Sequence, residues 1–531
     1  MKIVIADQLP ISAGNLLRAE GWTVDEKVDR TKDELNHDLA DADALIVRSR
    51  TTVDADLIKA AEKLRVVGRA GTGVDNIDVE AATARGVLVL NAPGANSVSV
   101  AEHACALILA SARGIALADQ QMKTGRWEKQ RLQGTELRGK TLGVVGFGRV
   151  GQEVARRAKA FEMEIVAHDP FISTHVAKGL GIELVTLDAL CQRSDFITLH
   201  LPSTPSSQGF LNQEFLAHCK VGVRIINTSR GDLIDEAALA EAVASGHVAG
   251  AGLDVFQVEP PTDMSLTGLP QVVATPHIAG STREAQELVG LETANFVREY
   301  LRSGIVRNAI NLTSVAPEEF RRLQPYLTLA ERLGRLLTAL SIDPFERISL
   351  RYYGELAQST SEMLVNATLV GLFRPMLSST VTLVNARAIA RQRGVEVVES
   401  QSSRARNFTS LISLKLHTES SDHWVEGAVF EPHNPRLVML DGVEIEVPLT
   451  GTLIVIRNND TPGVIGEVGS ILGRHGINIT TFALGRGLKG AIGVVSVETR
   501  KDNDHAPMVT EEVLKEVRSV PAVRRVALVK L

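Results

Sequence analysis

The segment LGVVGFGRVGQEVARRAKAFEMEIVAHDP, residues 142–170, decides the fold of the chain. It opens on an apolar run, after which Gly146, Gly148 and Gly151 satisfy the pattern G-x-G-x-x-G. A stretch with one apolar helical face follows, and a second apolar run ends on Asp169. The pattern predicts a strand, a tight turn, a helix and a second strand, which together form a βαβ unit.

Each part of this unit has a task in dinucleotide binding. Gly146 permits the tight turn, Gly148 lets the backbone approach a pyrophosphate, and Gly151 lets the helix pack closely on the strand. The phosphates are expected at the helix N-terminus. Asp169 is expected to accept hydrogen bonds from the adenosine ribose and to repel a 2′-phosphate, which favours NAD over NADP. The alternative, a tight turn without a ligand, does not explain the whole βαβ context.

Apolar runs rich in Val and Ile recur on both sides of this segment and alternate with helix-length segments. This alternation predicts doubly wound α/β architecture with parallel sheets over the first 313 residues. Since the glycine motif begins only at Gly146, the nucleotide-binding domain is predicted to be inserted into another α/β domain. The predicted bounds are 1–97 with 283–313 for a substrate-binding domain and 98–282 for the nucleotide-binding domain.

The remaining chain changes character. Residues 314–450 show mixed helix and strand patterns and are predicted to form an α+β intervening domain. Residues 451–531 follow the order β-α-β-β-α-β, which is typical of a ferredoxin-like module. Three histidines of the intervening segment, His417, His423 and His433, lie in polar or loop-like sequence. They are expected to be solvated, and no metal site is predicted.

Composition limits the function classes. The 531 residues are 44% hydrophobic and 23% charged with a net charge of −6, which indicates several soluble domains and favours neither nucleic acid nor a membrane as partner. Three scattered cysteines predict no disulfide framework and favour the cytoplasm. The opening stretch contains Asp7 and Pro10, so no signal peptide is expected.

Three polar residues follow strand-like runs late in the nucleotide-binding domain, namely Arg230, Glu259 and His277. Ligands of open α/β sheets bind outside the carboxyl ends of the strands. Oxidation of a secondary alcohol needs a base for the hydroxyl proton and a cation for a carboxylate or developing carbonyl. Taken singly, the arginine suits a surface ion pair, the glutamate a turn and the histidine a cap; their joint placement predicts a catalytic site.

Five segments resemble the successive signatures of the D-isomer-specific 2-hydroxyacid dehydrogenases, across residues 1–313. They are GFGRVG, SDFITLHLPSTPSSQGFLN, NTSRGDLIDE, LDVFQVEPP and TPHIAGST. The resemblance implies that Arg230, Glu259 and His277 are catalytic. It further implies a set of contacts to NAD beyond the glycine motif and Asp169, which consists of Thr72, Arg149, Val150, Thr228 and Asp254.

Three more segments, VRSRTTV, VVGRAGTGVDNID and NAPGANSVSVAEHA, resemble the members of that family that oxidise 3-phosphoglycerate in serine biosynthesis. Arg48, Arg50 and Arg69 follow strand-like runs there and are expected to bind the substrate phosphate, because a guanidinium donates two parallel hydrogen bonds. The alternative is a solvated charged rim. A glyoxylate or hydroxypyruvate reductase, or a redox-sensing NADH-binding protein, stays open as an alternative function.

The C-terminal module resembles an ACT domain, and the resemblance implies a homo-oligomer, a tetramer or a dimer, with a small amino acid such as L-serine as effector. Asp460 precedes a turn that opens a helix, and Asn478 stands where the next strand begins. Both are expected to reach one ligand at the end of the first strand, where Asp460 pairs with an ammonium and Asn478 with a carboxylate. Because ACT domains commonly pair across subunits, the resemblance also allows this ligand to lie at an interface between chains. The alternative is that Asp460 only caps the helix.

Overall fold

The computed structural model describes residues 1–341, 343–358, 362–404, 406–430, 433–488, 490–498 and 508–531. The described strands form four sheets of five, seven, six and four strands. The first two are parallel, the third is mixed and the fourth is antiparallel. The predicted fold class, α/β with an α+β domain and a ferredoxin-like module, is confirmed.

The first sheet has five parallel strands in the order β2-β1-β3-β4-β5. All four positions of β3 and of β5 are buried, which explains the apolar sequence of β3 and of the first three residues of β5. The edge strand β2 is largely exposed and polar, so its sequence carries no apolar run. The elements are β1 (Lys2–Ile5), α1 (Ile11–Arg18), β2 (Thr23–Glu26), α2 (Lys32–Leu39), β3 (Ala44–Val47), α3 (Ala55–Ala60), β4 (Val66–Arg69), α4 (Val79–Arg85) and β5 (Leu88–Asn91).

The second sheet has seven parallel strands in the order β12-β11-β10-β9-β6-β7-β8. Its strand order reverses between β6 and β9, and ligands of such sheets bind at the reversal. Its elements are α5 (Ser97–Arg113), α6 (Ile115–Lys123), β6 (Thr141–Val145), α7 (Arg149–Ala160), β7 (Glu164–His168), α8 (Thr174–Gly179), β8 (Glu183–Leu184), α9 (Leu187–Arg193), β9 (Phe196–Leu199), α10 (Gln213–His218), β10 (Val223–Asn227), α11 (Glu236–Ala244), β11 (Val248–Leu253) and β12 (Val272–Ala274).

After β12 the chain returns to the first sheet through α12 (Arg283–Ser303). Ala294 and Val297 of this helix share a hydrophobic core with Ile3 and Ile46 of the first sheet. Gly68 of β4 faces Val297 directly, and a side chain at this glycine would collide with the helix. This packing supports the insertion of one α/β domain into the other, while the bounds of the domains stay a prediction.

The intervening part consists of three helices on a six-stranded sheet of order β14-β13-β15-β16-β17-β18. The core lies between α13, α14 and the sheet, where Leu333, Leu364 and Tyr352 are buried together. The elements are α13 (Pro317–Leu340), β13 (Phe345–Gly354), α14 (Glu362–Phe373), α15 (Ala386–Gln392), β14 (Glu396–Ser402), β15 (Ser410–Thr418), β16 (Asp422–Phe430), β17 (Asn434–Leu440) and β18 (Val443–Pro448).

The histidines of this sheet differ from the expectation of solvated side chains. His423 is buried, and its Nδ1 lies 3.3 Å from Asp441 Oδ2. His417 is half-buried, with its Nδ1 2.9 Å from Asp422 Oδ1. The expectation is wrong for His423, because the pairing of β16 with β17 brings Asp441, in the turn after β17, to a buried imidazole. Within the described residues, no group of three His, Cys, Asp or Glu side chains is arranged to hold a metal ion.

The C-terminal sheet has the order β20-β21-β19-β22, and each neighbouring pair is antiparallel. One face packs on α16 and α17. On the other face, Leu453 and Val494 join the core that contains Leu329 of α13, so this module is packed on the intervening part. The elements are β19 (Thr452–Asn458), α16 (Val464–Arg474), β20 (Ile479–Gly487), β21 (Gly490–Val497), α17 (Glu511–Ser519) and β22 (Val523–Lys530).

In the described part of the chain, no helix taken singly has the length and apolar character needed to cross a membrane. The pair α5 and α6 meets those criteria only when joined, and a bend of 67° separates the two helices. Gly114 lies at the bend with φ 57°, a left-handed conformation that ends α5.

Candidate active site

The glycine turn after β6 forms an open cradle. Gly146 has φ 89°, and a side chain there would collide with the carbonyl oxygen of His200. A side chain at Gly151 would collide with the carbonyl oxygen of Gly146, so both positions require glycine. Gly148 instead faces open space, because no atom of the described residues lies within 4 Å of the place that a Cβ would occupy. The backbone here can therefore be approached by a pyrophosphate at the start of α7.

Asp169 follows β7 and is half-buried. Its Oδ2 accepts a hydrogen bond from the backbone N–H of Phe147 at 2.8 Å, and its Oδ1 accepts one from Phe171 N–H at 2.8 Å. The carboxylate thus holds the glycine turn in place, and each oxygen keeps a further lone pair. This position at the end of the second strand of the βαβ unit suits a ribose diol.

The other residues expected to contact NAD surround the same cleft. Thr228, after β10, is buried, and its hydroxyl has no hydrogen-bond partner among the described residues. Thr72, after β4, is exposed, and Arg149, at the start of α7, donates to the carbonyl oxygen of Pro93. Val150 is half-buried against the core under α7. An orphaned hydroxyl at the same sheet edge as an open glycine turn fits a bound dinucleotide, while the individual contacts stay predictions.

His277 and Glu259 form a close pair. The Nδ1 atom of His277 lies 2.6 Å from Glu259 Oε2, and the histidine side chain is 52% exposed. The other carboxylate oxygen, Oε1, accepts the N–H of Phe256 at 3.1 Å, which fixes the orientation of the glutamate. Since Glu259 occupies Nδ1, the Nε2 atom is the one directed to a substrate. This pairing is the geometry that a histidine acid/base requires.

A buried carboxylate, Asp254, anchors the loop that carries His277. It accepts the hydroxyl of Thr275 at 2.6 Å and the backbone N–H groups of Ile278 at 2.9 Å and Ala279 at 2.8 Å. Burial opposes the charge of Asp254, but a hydrogen bond from His103 and these donors outweigh it and lower its pKa. Its carbonyl oxygen also accepts His277 N–H at 2.9 Å. The residue therefore positions the histidine, whatever its contact with NAD.

His103 is a member of this network that sequence reasoning missed. It lies on α5, with its Nε2 atom 2.9 Å from Thr275 Oγ1 and 3.4 Å from Asp254 Oδ1. The three residues are far apart along the chain, so no spacing pattern connects them. The only sequence signal was that His103 belongs to the segment NAPGANSVSVAEHA.

Arg230 reaches from the nucleotide-binding sheet to the first sheet. Its Nη2 atom lies 3.3 Å from Asp75 Oδ2, and its Nη1 donates to Ser229 O at 2.7 Å. A side chain at Gly73 would collide with the guanidinium, so glycine lets the loop after β4 lie against Arg230. Asp75 was missed from the sequence, although it belongs to the segment VVGRAGTGVDNID.

The three arginines expected to bind phosphate are not equivalent. Arg69 is largely buried, and burial, reinforced by the charges of Arg230 and Arg48, lowers its pKa to about 10. Its Nε atom has no acceptor within the described residues. Arg48, Arg69 and Arg230 therefore form a cluster close enough for their charges to interact, and Asp75 and Asp7 act against this repulsion. Arg50 is different: it is 77% exposed and paired with Asp29 at 2.5 Å, so the structure does not place it in the cluster.

The two residues expected to bind an effector lie apart. Asp460 follows β19, and its carboxylate accepts Arg486 Nε at 3.2 Å. Asn478 precedes β20 and donates to Glu498 Oε2 at 3.1 Å. The pairing of Thr452 with Val497 puts Glu498 beside the start of β19, so the two residues lie at opposite ends of the sheet, about 20 Å apart by strand length.

Within one chain, Asp460 and Asn478 therefore do not reach one ligand at the end of the first strand, and only the expectation of a ligand at an interface between chains remains. In this β-α-β unit, β19 and β20 are both antiparallel to β21 and run in the same direction, so β20 begins at the edge where β19 began. The capping alternative is also wrong, because α16 starts after Gly463 and has no side-chain cap. A ligand shared by Asp460 and Asn478 requires two chains.

Comparison with known proteins agrees with this geometry. Residues 105–279 match the family model of the D-isomer specific 2-hydroxyacid dehydrogenase, NAD binding domain. Residues 322–441 match the D-3-phosphoglycerate dehydrogenase intervening domain, and residues 452–521 match the ACT domain. The fold and the site define an NAD-dependent dehydrogenase of 2-hydroxy acids with two additional C-terminal domains.

Relatives that match over the full length show to which family of 2-hydroxyacid dehydrogenases the chain belongs. The D-3-phosphoglycerate dehydrogenase of Methanocaldococcus jannaschii is 41% identical over 100% of both chains. That of Archaeoglobus fulgidus is 41% identical over 97% of this chain and 98% of its own. The chain belongs to the D-3-phosphoglycerate dehydrogenase family, and the resemblance deduced from its motifs is confirmed.

Solved structures resemble the N-terminal part. A protein from Thermus thermophilus is 35% identical, covers 58% of this chain and 100% of its own, and has a TM-score of 0.54. A glyoxylate reductase from Paecilomyes thermophila is 30% identical, covers 60% of this chain and 98% of its own, and has a TM-score of 0.54. The full-length relatives and the family model of the intervening domain are both described as D-3-phosphoglycerate dehydrogenase. The alternative functions, a glyoxylate or hydroxypyruvate reductase and a redox sensor, are therefore not favoured.

Proposed function

We propose that the protein oxidises 3-phospho-D-glycerate to 3-phosphohydroxypyruvate with NAD, as the first step of phosphorylated L-serine biosynthesis. The observation that carries the proposal is the cluster of Arg48, Arg69 and Arg230, because Arg230 follows β10 at the sheet edge where the pair of His277 and Glu259 follows β11 and β12. A substrate with a carboxylate at one end and a phosphate at the other brings negative charge to these arginines.

His277 takes the proton of the C2 hydroxyl through Nε2. Glu259 holds the imidazole through Nδ1 and stabilises the positive charge that the ring acquires. The glycine turn and Asp169 would hold NAD, which would supply the hydride acceptor for C2. The network of Asp254, Thr275 and His103 keeps the histidine loop fixed, so the base does not reorganise during the reaction.

Arg230 anchors the substrate carboxylate and exchanges its partner Asp75 for it. Arg69 and Arg48, which lie at the carboxyl ends of strands in the first sheet, bind the substrate phosphate. Arg69 is mostly buried and lacks an acceptor for Nε among the described residues, so pairing with a dianion removes the charge repulsion between the arginines. Since Arg48 and Arg69 lie at strand ends of the first sheet while Arg230, Glu259 and His277 follow strands of the second, productive binding needs the cleft between the two sheets.

A substrate panel followed by NADH absorbance tests this function. We expect 3-phosphoglycerate to be used with a kcat/KM well above that of unphosphorylated acids such as D-lactate or D-glycerate, and NAD to be preferred over NADP. Equal or better use of unphosphorylated acids would support the glyoxylate or hydroxypyruvate reductase. NADH binding with negligible turnover of every acid would support a redox sensor.

The same proposal includes regulation and assembly. L-serine binds the ACT domain, with Asp460 of one chain and Asn478 of another on the same ligand, in a dimeric or tetrameric homo-oligomer. The support is the family match over residues 452–521 and the separation of the two residues within one chain. We place the enzyme in the cytoplasm, consistent with its three free cysteines, Cys105, Cys191 and Cys219.

A further inference from the structure

A cavity of about 310 Å³ lies between the first sheet and the intervening part. One wall consists of residues 62–65, which precede β4, and of Arg85 and Gly86 at the end of α4. The other wall consists of Arg374 and residues 380–384, which lead into α15. The cavity therefore lies at the amino ends of β4 and β5, whereas the catalytic cleft lies at their carboxyl ends.

The cavity is strongly positive. Lys63, Arg65, Arg85 and Arg374 line it, and Glu62 is the single carboxylate among the lining residues. Clefts lined by charge of one sign concentrate ions of the opposite sign. The charge balance of this cavity therefore selects an anion.

The cations of this cavity differ in whether the protein supplies an acidic partner for them. Arg374 donates to Glu331 Oε1 at 2.9 Å, which neutralises it. Arg65 lies over the ring of Tyr300, 5.9 Å from its centroid, and Arg85 Nε is buried without an acceptor among the described residues. Neither Arg65 nor Arg85 forms an ion pair in the described part of the chain. Two guanidinium groups are thus available to an external ligand.

Arg85 is also not needed to complete its own helix. Basic side chains in the last turn commonly interact with the unpaired carbonyl oxygens of a helix end. Here Asn385 Nδ2 donates to Ala84 O at 3.2 Å, and Thr382 Oγ1 donates to Gly86 O at 3.0 Å. The intervening part already satisfies these carbonyls, so the helix end does not account for the guanidinium at the cavity.

We propose that this cavity is a second anion site, separate from the catalytic cleft, which binds a phosphate group between Arg65 and Arg85. The planar guanidinium groups match the geometry of phosphate oxygens, and Lys63 adds a third positive charge. The ligand is inorganic phosphate or a small phosphate monoester. The site does not depend on the identity of the substrate.

The site lies between the first sheet and the intervening part. The carbonyl oxygen of Arg65 accepts the N–H of Leu88 at 3.0 Å, so a ligand bound to Arg65 lies next to the amino ends of both β4 and β5. The opposite wall, residues 380–384, belongs to the intervening part. A bound phosphate therefore stabilises the contact between that part and the first sheet.

Isothermal titration of the full-length protein with inorganic phosphate, at constant ionic strength, tests the proposal. The test variant carries Arg65→Gln and Arg85→Gln in addition to Arg48→Gln and Arg69→Gln, so that the arginines of the catalytic cleft do not contribute to phosphate binding. The matched control is Arg48→Gln with Arg69→Gln, which removes the cations of the catalytic cleft. We expect the control to keep a phosphate site whose affinity falls at least roughly tenfold in the test variant. Loss of all binding in the control, or unchanged binding in the test variant, overturns the proposal.

Hydrogen exchange of the unmodified protein gives a readout that does not depend on a variant folding. Phosphate is expected to slow exchange in residues 380–384, and unchanged exchange there at saturating phosphate contradicts the site. Titration of the control variant with 3-phosphoglycerate identifies the source of the phosphate group. Tighter binding than inorganic phosphate assigns a monoester, and equal or weaker binding assigns free phosphate.

Discussion

In both the catalytic cleft and the ACT sheet, the end of the strand at which a polar residue stands decides which edge of the sheet it occupies. The polar residues converge in the catalytic cleft and are separated in the ACT sheet. Arg230, Glu259 and His277 follow β10, β11 and β12, which are parallel neighbours, so all three lie at one edge of the sheet. In the ACT sheet, β19 and β20 also run in the same direction, but Asp460 follows one strand and Asn478 precedes the other. Convergence therefore depends on which end of its strand each residue occupies.

Replacement of His277 by Asn is expected to have the largest effect, because it removes the acid/base group from the convergent site. We expect kcat to fall by roughly 10²–10⁴-fold with 3-phosphoglycerate. Steady-state rates on the folded variant provide the measurement, and His218→Asn, at the exposed end of α10, provides the matched control. Near-normal turnover of the His277 variant would remove this residue from the chemistry.

Variants of Arg69 and Arg50 test whether the substrate phosphate binds to the arginine cluster and not to the exposed arginine. Arg69→Gln is expected to raise the KM for 3-phosphoglycerate by roughly 10–100-fold, since it removes a charge-assisted hydrogen bond from a partly buried site. Arg50→Gln is expected to change it less than about threefold, because this exposed arginine is paired with Asp29. The KM for an unphosphorylated 2-hydroxy acid serves as the internal control. Similar effects of the two variants on 3-phosphoglycerate would show that the cluster is not the phosphate site.

Replacement of Asp169 tests the nucleotide-binding end of the same cleft. Its replacement by Ala removes a repulsive charge for a 2′-phosphate and a partner for the ribose, so the ratio of kcat/KM for NADP to that for NAD is expected to rise roughly tenfold. The variant also loses the bond to Phe147 N–H, and Asp169→Asn is therefore the control that keeps an acceptor in place. No rise of the ratio in either variant would mean that the carboxylate only holds the glycine turn.

The smallest expected effect concerns the separated pair of the ACT domain. Asp460→Ala and Asn478→Ala are each expected to reduce serine binding, whereas co-refolded mixtures of the two variants regain part of it. The reason is that a mixed oligomer contains interfaces in which one site keeps both residues. Calorimetry with L-serine measures the recovery. Absence of recovery, with binding intact in the unmodified protein, would contradict a ligand shared between chains.

The accuracy of sequence reasoning differed between elements for physical reasons. Strands buried on both faces, such as β3, were found because their sequence is continuously apolar. The polar edge strand β2 and the two-residue strand β8 were missed, since neither carries an apolar run. His423 was misjudged as solvated because nothing in its own segment indicates the partner Asp441.

The sequence by itself determined the βαβ unit, the order of the domains and the three residues that follow adjacent strands, because these depend on local periodicity and on position relative to a strand end. The tertiary structure alone decided that Arg69 joins Arg230 while Arg50 pairs with Asp29, that His103 supports Asp254, and that Asp460 and Asn478 lie apart. Such contacts join residues that are distant along the chain. They are set by how sheets and domains pack, which no local pattern of residues records.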